Sequence, residues 1–298
     1  MRMGAGCARG VWLLTGSRVR HTTAPSWRPS RQNFLKTLPV WAYQGKMTYE
    51  SMVGHIQKGV NMDIPQEVEL QRCYYTETAH KYNAMHVHEK DEHYFALCIM
   101  LAVVDYFGIT SILDIGSGTG RVVSHVKKVR PDILIRGVEP AKELREVAYS
   151  QGISRSELTD GNGLALQFED CQFDIVCAFG VLHHIKTPDR AVAEMLRVAN
   201  KAIFISDSNN FGQGSFLTRS IKQTINLFRL WPIANFIKTK GRGYMISEGD
   251  GLAYSYSLFT NYRQIKEQCK SVHLFNTTPA GLNFYRTSSH VALLGVKQ

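Results

Sequence analysis

Apolar residues recur along the chain in two alternating rhythms. Short apolar runs stand at residues 111–115, 134–138, 173–179 and 202–206, and segments such as 141–151 and 188–199 carry their apolar residues at helical spacing. Brief continuous runs read as buried strands, whereas i, i+3, i+4 spacing reads as a helix with one face against them. Strands alternating with helices imply βαβ units and a parallel sheet. Two further strands are predicted at 272–277 and 290–296; the connection between them, with Pro279 and Gly281, suits a loose antiparallel hairpin. Upstream, residues 47–110 are rich in helix formers and form a predicted helical cap, in which 94–107 is apolar enough to lie against the sheet. The stretch 208–258, before a predicted helix at 262–269, far exceeds the usual ~2 to 6 residues of a connection. It reads as an insertion with its own helix near 218–228.

Composition narrows the picture. At 298 residues and 44% hydrophobic content, the chain buries one substantial core, one α/β domain with appendages. Its net charge of +10 is concentrated at the front: Arg2, Arg9, Arg18, Arg20, Arg28, Arg31, Lys36 and Lys46 precede the first acidic residue, Glu50. Without those eight cations the remainder carries +2, which gives no electrostatic reason to invoke nucleic acid. The acid-free leader 1–46 has the composition of a mitochondrial transit peptide, so the expected compartment is the mitochondrion. The alternative is the cytoplasm, with the leader as an untargeted tail or as upstream sequence before a start at Met47. No uncharged stretch reaches the ~20 residues of a membrane-spanning helix. The scattered cysteines form no C-x-x-C pair. His80, His86, His88 and His93, with Glu89 and Glu92, lack H-E-x-x-H spacing, so no metal site is expected.

The strongest chemical signal is Leu113-Asp114-Ile115-Gly116-Ser117-Gly118-Thr119-Gly120, a strand that ends in a glycine-rich turn and opens a helix near Arg121. Glycines at alternate positions allow a tight turn and a close approach of backbone to ligand. At the end of the next strand stands Glu139, placed where a carboxylate accepts hydrogen bonds from ribose hydroxyls. A dinucleotide fingerprint wants G-x-G-x-x-G, and here the third glycine arrives one residue early.

LDIGSGTG resembles the first motif of the class I S-adenosylmethionine-dependent methyltransferases, in the small-molecule branch that includes ubiquinone and menaquinone methyltransferases. Asn162 to Phe168, Phe173 to Val176 and Val181 to Ile185 resemble further motifs of that family. The resemblance implies a Rossmann-like, mostly parallel seven-stranded sheet with helices on both faces, and S-adenosylmethionine as cofactor. It implies that Gly116, Ser117, Gly118 and Gly120 form the cofactor loop, that Asp114 holds the loop and the cofactor amine, and that Glu139 takes the ribose. Asn162, followed by Gly163, stands where relatives place an adenine-binding Asp, with Asp160 as a competitor. Phe179 and Tyr82 fall where relatives cover the cofactor. Of His183 and His184, the latter is the candidate general base; the alternative is that both shape the loop after the strand. In the insertion, Arg242, Tyr244, Ser247, Glu248, Asp250, Tyr254 and Tyr256, with Tyr285 and Arg286 beyond it, fit a lid over an acceptor. Because no N-P-P-Y motif follows the fourth family strand, the expected acceptor is a small or lipid-like molecule. The alternatives are a catalytically inactive assembly protein of the same fold, or a protein methyltransferase. The oligomeric state is left open.

Overall fold

A computed structural model describes residues 64–83, 90–247, 250–279 and 283–297. The leader Met1–Lys46 separates as its own unit from Met47–Gln298. It lies outside the described residues, as do His86, His88, Glu89, Glu248 and Gly281.

The apolar runs form a seven-stranded sheet. β1 (Ser111–Ile115), β2 (Leu134–Val138), β3 (Leu158–Thr159), β4 (Phe173–Phe179) and β5 (Ala199–Ser208) are joined by β8 (Ser271–Asn276) and β9 (His290–Val296) in the order β3-β2-β1-β4-β5-β9-β8. β1 to β5 pair in parallel, and β9 runs antiparallel between β5 and β8. The sheet is thus the mostly parallel Rossmann-like sheet that the sequence implied. Alternating burial on two faces explains the pattern. One face packs Ala191, Val192, Met195 and Leu196 of α5 (Pro188–Val198) and Ile265 of α8 (Tyr262–Gln268). The other packs Ala96, Leu97 and Met100 of α2 (Glu92–Ala102), Val122, Val123 and Val126 of α3 (Arg121–Val129), and Ala148 of α4 (Lys142–Ser150). Ahead of these stands α1 (Ile64–Thr78).

Local differences from the sequence reading have identifiable causes. β5 takes in residues 199–201, expected partly as helix, because Ala199 pairs with Phe173. β3 has two residues, too short to show a period. α2 stops at Ala102, and residues 103–108 continue as turns with i→i+3 bonds such as Val104 N to Leu101 O, 3.3 Å.

Between β5 and α8, the insertion holds α6 (Phe216–Leu227), α7 (Trp231–Lys238) and an antiparallel hairpin, β6 (Tyr244–Ser247) with β7 (Gly251–Tyr254). Of these, only α6 was predicted. The last short helix, α9 (Phe284–Thr287), lies in the connection between β8 and β9. Among the described residues no helix is long and apolar enough to cross a membrane.

Candidate active site

At the carboxyl end of β1 the chain turns through Gly116, Gly118 and Gly120 with φ of 68°, 54° and 79°, left-handed values that disfavour any Cβ. At Gly120 a Cβ would stand 2.0 Å from Ile153 Cδ1, so the turn also sets how closely α3 packs. Gly118 faces the Tyr82 ring, with 3.1 Å from a built Cβ to the hydroxyl. The loop is fastened on both sides. Thr119 Oγ1 donates to Asn83 Oδ1 at 2.5 Å, and Arg121 forks onto both Asp91 oxygens at 2.7 and 2.8 Å.

The loop floors a cleft of two connected lobes beside the switch point between β1 and β4, where open α/β sheets bind ligands. The larger lobe encloses ≈ 1170 Å³ of empty space, mouth included, and is lined by Glu139, Asn162, Gly163, Leu144, Leu252 and Tyr254 among others. The smaller encloses ≈ 770 Å³ and reaches Asp114, Ser117, His93, His183 and Asp250. Tyr75, Tyr82, Gly116, Phe179 and His184 line both.

Two carboxylates give this space its chemistry. Glu139 is 5% exposed; its Oε2 accepts from Gly118 N at 3.0 Å and its Oε1 from Ala141 N at 2.8 Å. Burial raises its pKa against the pull of those two N–H groups. A carboxylate has about four lone-pair sites, so both oxygens retain capacity toward hydroxyl donors in the larger lobe. Asp114 is 1% exposed, and burial pushes it up to about 7. Its Oδ1 accepts weakly from Cys177 Sγ at 3.7 Å, while its Oδ2 is buried with no hydrogen-bond partner. An orphaned buried oxygen beside a cleft is costly alone and fits a cationic ligand. The ammonium of S-adenosylmethionine meets that need, and Glu139 meets its ribose, so the residues present fit this cofactor. Asp114, Gly116, Ser117, Glu139, Asn162, Gly163, Phe179 and Tyr82 all line the cleft. Gly118 faces Tyr82, and Gly120 acts in packing. Asn162 is exposed, and its Oδ1 accepts from Leu164 N at 2.9 Å. Asp160 is tied to Arg145 at 2.8 Å and is absent from the residues lining either lobe.

Opposite the glycine loop, the chain after β4 passes through Leu182–His184 as a single 3-10 turn. This stacks the two imidazoles with centroids 4.0 Å apart. His183 Nδ1 meets Asp207 Oδ1 at 2.8 Å, and His184 Nδ1 donates to the Leu252 carbonyl at 2.7 Å. Both Nε2 atoms face Asp250, each 3.4 Å from one of its oxygens. Burial works against a charge on His183, yet Asp207 and then Asp250 outweigh it and raise its pKa to about 10. Asp207 is wholly buried, and His183 holds it down at about 2. One donor atom from each of His183, His184 and Asp250 lies within 4.8 Å of the others, a set that could also hold a divalent cation; Glu92, His93 and His290 form a second such set. Spacing arguments could not find either, because each joins residues far apart in sequence. Asp207 and Tyr75 were likewise not singled out by the sequence. Tyr75 packs edge-on against Tyr82 and His184, at 5.8 and 6.3 Å between centroids. Of the insertion residues put forward as a lid, Asp250 and Tyr254 line the cleft, while Tyr244 is buried against Leu70 and Leu252, and Tyr256 lies in the main core.

The sheet order, glycine loop and paired carboxylates define the class: the chain carries a class I S-adenosylmethionine-dependent methyltransferase domain. Residues 113–203 match the family described as "Methyltransferase domain". Ajmaline N-methyltransferase of Rauvolfia serpentina is 31% identical over 94 residues, 30% of this chain and 32% of that enzyme. A probable tRNA methyltransferase 9B of Bos taurus is 37% identical over 90 residues, 29% of this chain and 18% of that protein. The chain therefore spans about a third or less of these relatives' lengths. In fold it is similar to the solved DhpI–SAM–HEP complex, with a TM-score of 0.51 and 17% identity over 76% of this chain and 96% of that one.

Proposed function

We propose that this chain transfers the methyl group of S-adenosylmethionine to a small, largely apolar acceptor. The buried, unpartnered Asp114 Oδ2 beside the cleft carries the reading. When bound, the cofactor supplies a sulfonium-activated methyl group, so the protein mainly has to align the acceptor and exclude water, worth up to roughly 7–11 kcal/mol in well-oriented systems. Asp114 holds the cofactor amine and Glu139 the ribose, while Asn162 and Gly163 flank the base. Tyr75, Phe179 and Tyr254 offer an aromatic wall for the acceptor, which favours a ring-bearing or quinone-type molecule. The hairpin β6–β7 acts as its lid. Where the acceptor carries a proton, the Asp250–His184 pair receives it. The Nδ1–H of His184 is donated to the Leu252 carbonyl, which leaves Nε2, facing Asp250, as the ring atom that takes a proton.

The matched relatives bear the names of an alkaloid N-methyltransferase and a tRNA methyltransferase, so their acceptors differ and neither is carried over. The test is calorimetric titration of the full chain with S-adenosylmethionine, S-adenosylhomocysteine and NAD. Saturable binding of the first two and not the third is expected, followed by a labelled-methyl screen of metabolite extracts. No binding by a folded sample would overturn the reading in favour of an inactive assembly protein. The basic leader supports mitochondrial import; comparing in cells the full chain with one starting at Met47 tests it, and identical distributions would refute it.

A further inference from the structure

α6 and α7 are built inside out. Neither helix buries a single residue fully. On α6 the polar side chains of Lys222, Gln223 and Asn226 turn toward the protein. Gln223 Nε2 donates to the carbonyls of Phe211 and Arg286 at 2.9 and 3.0 Å, Asn226 Nδ2 to the Tyr285 hydroxyl at 2.8 Å, and Lys222 Nζ to the Asn210 carbonyl. The opposite face carries Leu217, Ile221 and Phe228, exposed by 67, 51 and 67%. On α7, Trp231 anchors inward through Ser255, 3.1 Å from its indole nitrogen, while Ile233, Phe236 and Ile237 stand 59, 61 and 70% exposed. A soluble surface rarely gathers large apolar side chains this way without a partner.

The charge says what the partner is. From 208 to 247 the chain contains Arg219, Lys222, Arg229, Lys238, Lys240 and Arg242 and no Asp or Glu. The +2 carried by everything after the leader is unevenly spread: the insertion 208–258 holds these six cations against Glu248 and Asp250, a net +4. Arg229, Lys238 and Lys240 are exposed beside the apolar face. Apolar side chains on one face, rimmed by cations and without carboxylates, are what a helix lying in the headgroup layer of an anionic bilayer requires.

We propose that α6 and α7 form a membrane-surface docking element that seats the protein on an anionic lipid surface. The two helices lead directly into β6–β7, whose Leu252 and Tyr254 line the cleft. Resting on the methyl-transfer reading, docking makes the acceptor a molecule that resides in the bilayer and enters from that side. The docking itself does not depend on catalysis.

The experiment is co-sedimentation of the full chain with phosphatidylcholine vesicles with and without phosphatidylserine. Binding is expected with phosphatidylserine, weakened by added salt. Combining Leu217→Gln, Phe228→Gln, Phe236→Gln and Ile237→Gln should cut partitioning at least about tenfold, with S-adenosylhomocysteine affinity unchanged as the control for folding and for the cofactor site. Combining Arg229→Gln, Lys238→Gln and Lys240→Gln should remove the preference for phosphatidylserine. No binding to either vesicle would overturn the proposal. So would binding that survives the four apolar replacements, which would assign it to the basic leader. A dimer lost in the same variant, without vesicle binding, would show a second copy of the chain to be the occupant.

Discussion

In the sheet half of the molecule, α5 turns Ala191, Val192, Met195 and Leu196 inward and they vanish into the core. In the insertion, α6 turns Gln223 and Asn226 inward and leaves Leu217, Ile221 and Phe228 outside. Both helices carry apolar residues at helical spacing, so the period alone does not say which way the apolar face points. The difference is one of what lies underneath. Beneath α5 is an apolar sheet face; beneath α6 are backbone carbonyls of Phe211 and Arg286 and the Tyr285 hydroxyl, which need donors. The sheet half is therefore a rigid holder, and the insertion is a polar-mounted element free to present an apolar surface.

Breaking the holder gives the largest effects. Glu139→Ala removes the acceptor for Gly118 N and Ala141 N and the proposed ribose partner together. S-adenosylhomocysteine affinity is expected to fall more than about tenfold, at least ~1.4 kcal/mol, by calorimetry; unchanged affinity in a folded variant would remove Glu139 from the site. Gly120→Ala forces a Cβ toward Ile153 at a φ of 79°. A loss of roughly 1–3 kcal/mol is expected in denaturant unfolding, with no such loss at the uncrowded surface position Gly152→Ala beyond its own backbone strain.

Asp250→Asn tests how the insertion is tied to the holder. With one carboxylate oxygen replaced by an amide, the contacts to both imidazoles weaken, and amide exchange across β6–β7 is expected to quicken several-fold while β1 and β4 stay protected. Equal exchange in both proteins would mean the hairpin is held by its other ties, the packing on Leu70 and the hydrogen bonds of Leu252 to Gln71 and His184.

Asp114 offers the most specific effect, because it is read from pH dependence. Its native pKa of about 7 lies above the ordinary 3.8, so between those values the native state holds a proton that the unfolded chain has lost. Stability of the ligand-free protein should therefore fall as pH rises from 4 to 7, and this component should vanish in Asp114→Asn. Cofactor affinity should move the other way, rising through pH 7 as the carboxylate ionises toward the ammonium. Parallel slopes in the parent and Asp114→Asn proteins, read from thermal unfolding, would refute the assignment.

The sequence determined the elements that are specified locally. Strands β1, β2, β4 and β9 stand where their apolar runs do, and the glycine turn between β1 and α3 is written in residues that alone tolerate its φ angles. It also singled out Glu139, from its position just after a strand of a repeating βα unit, and Asp114, through the resemblance of LDIGSGTG to a known motif. Three things were settled only by the tertiary structure. Asp250 and Asp207 reach the histidine pair from 66 and 23 or more residues away, a proximity no spacing rule encodes. β3 exists because Gly137 and Val138 offer it a partner, not because two residues carry a pattern. The outward face of α6 and α7 was decided by the polar groups beneath them. Local sequence fixes backbone preference and period, whereas the direction a face turns depends on the surface it meets, and that surface is assembled from distant parts of the chain.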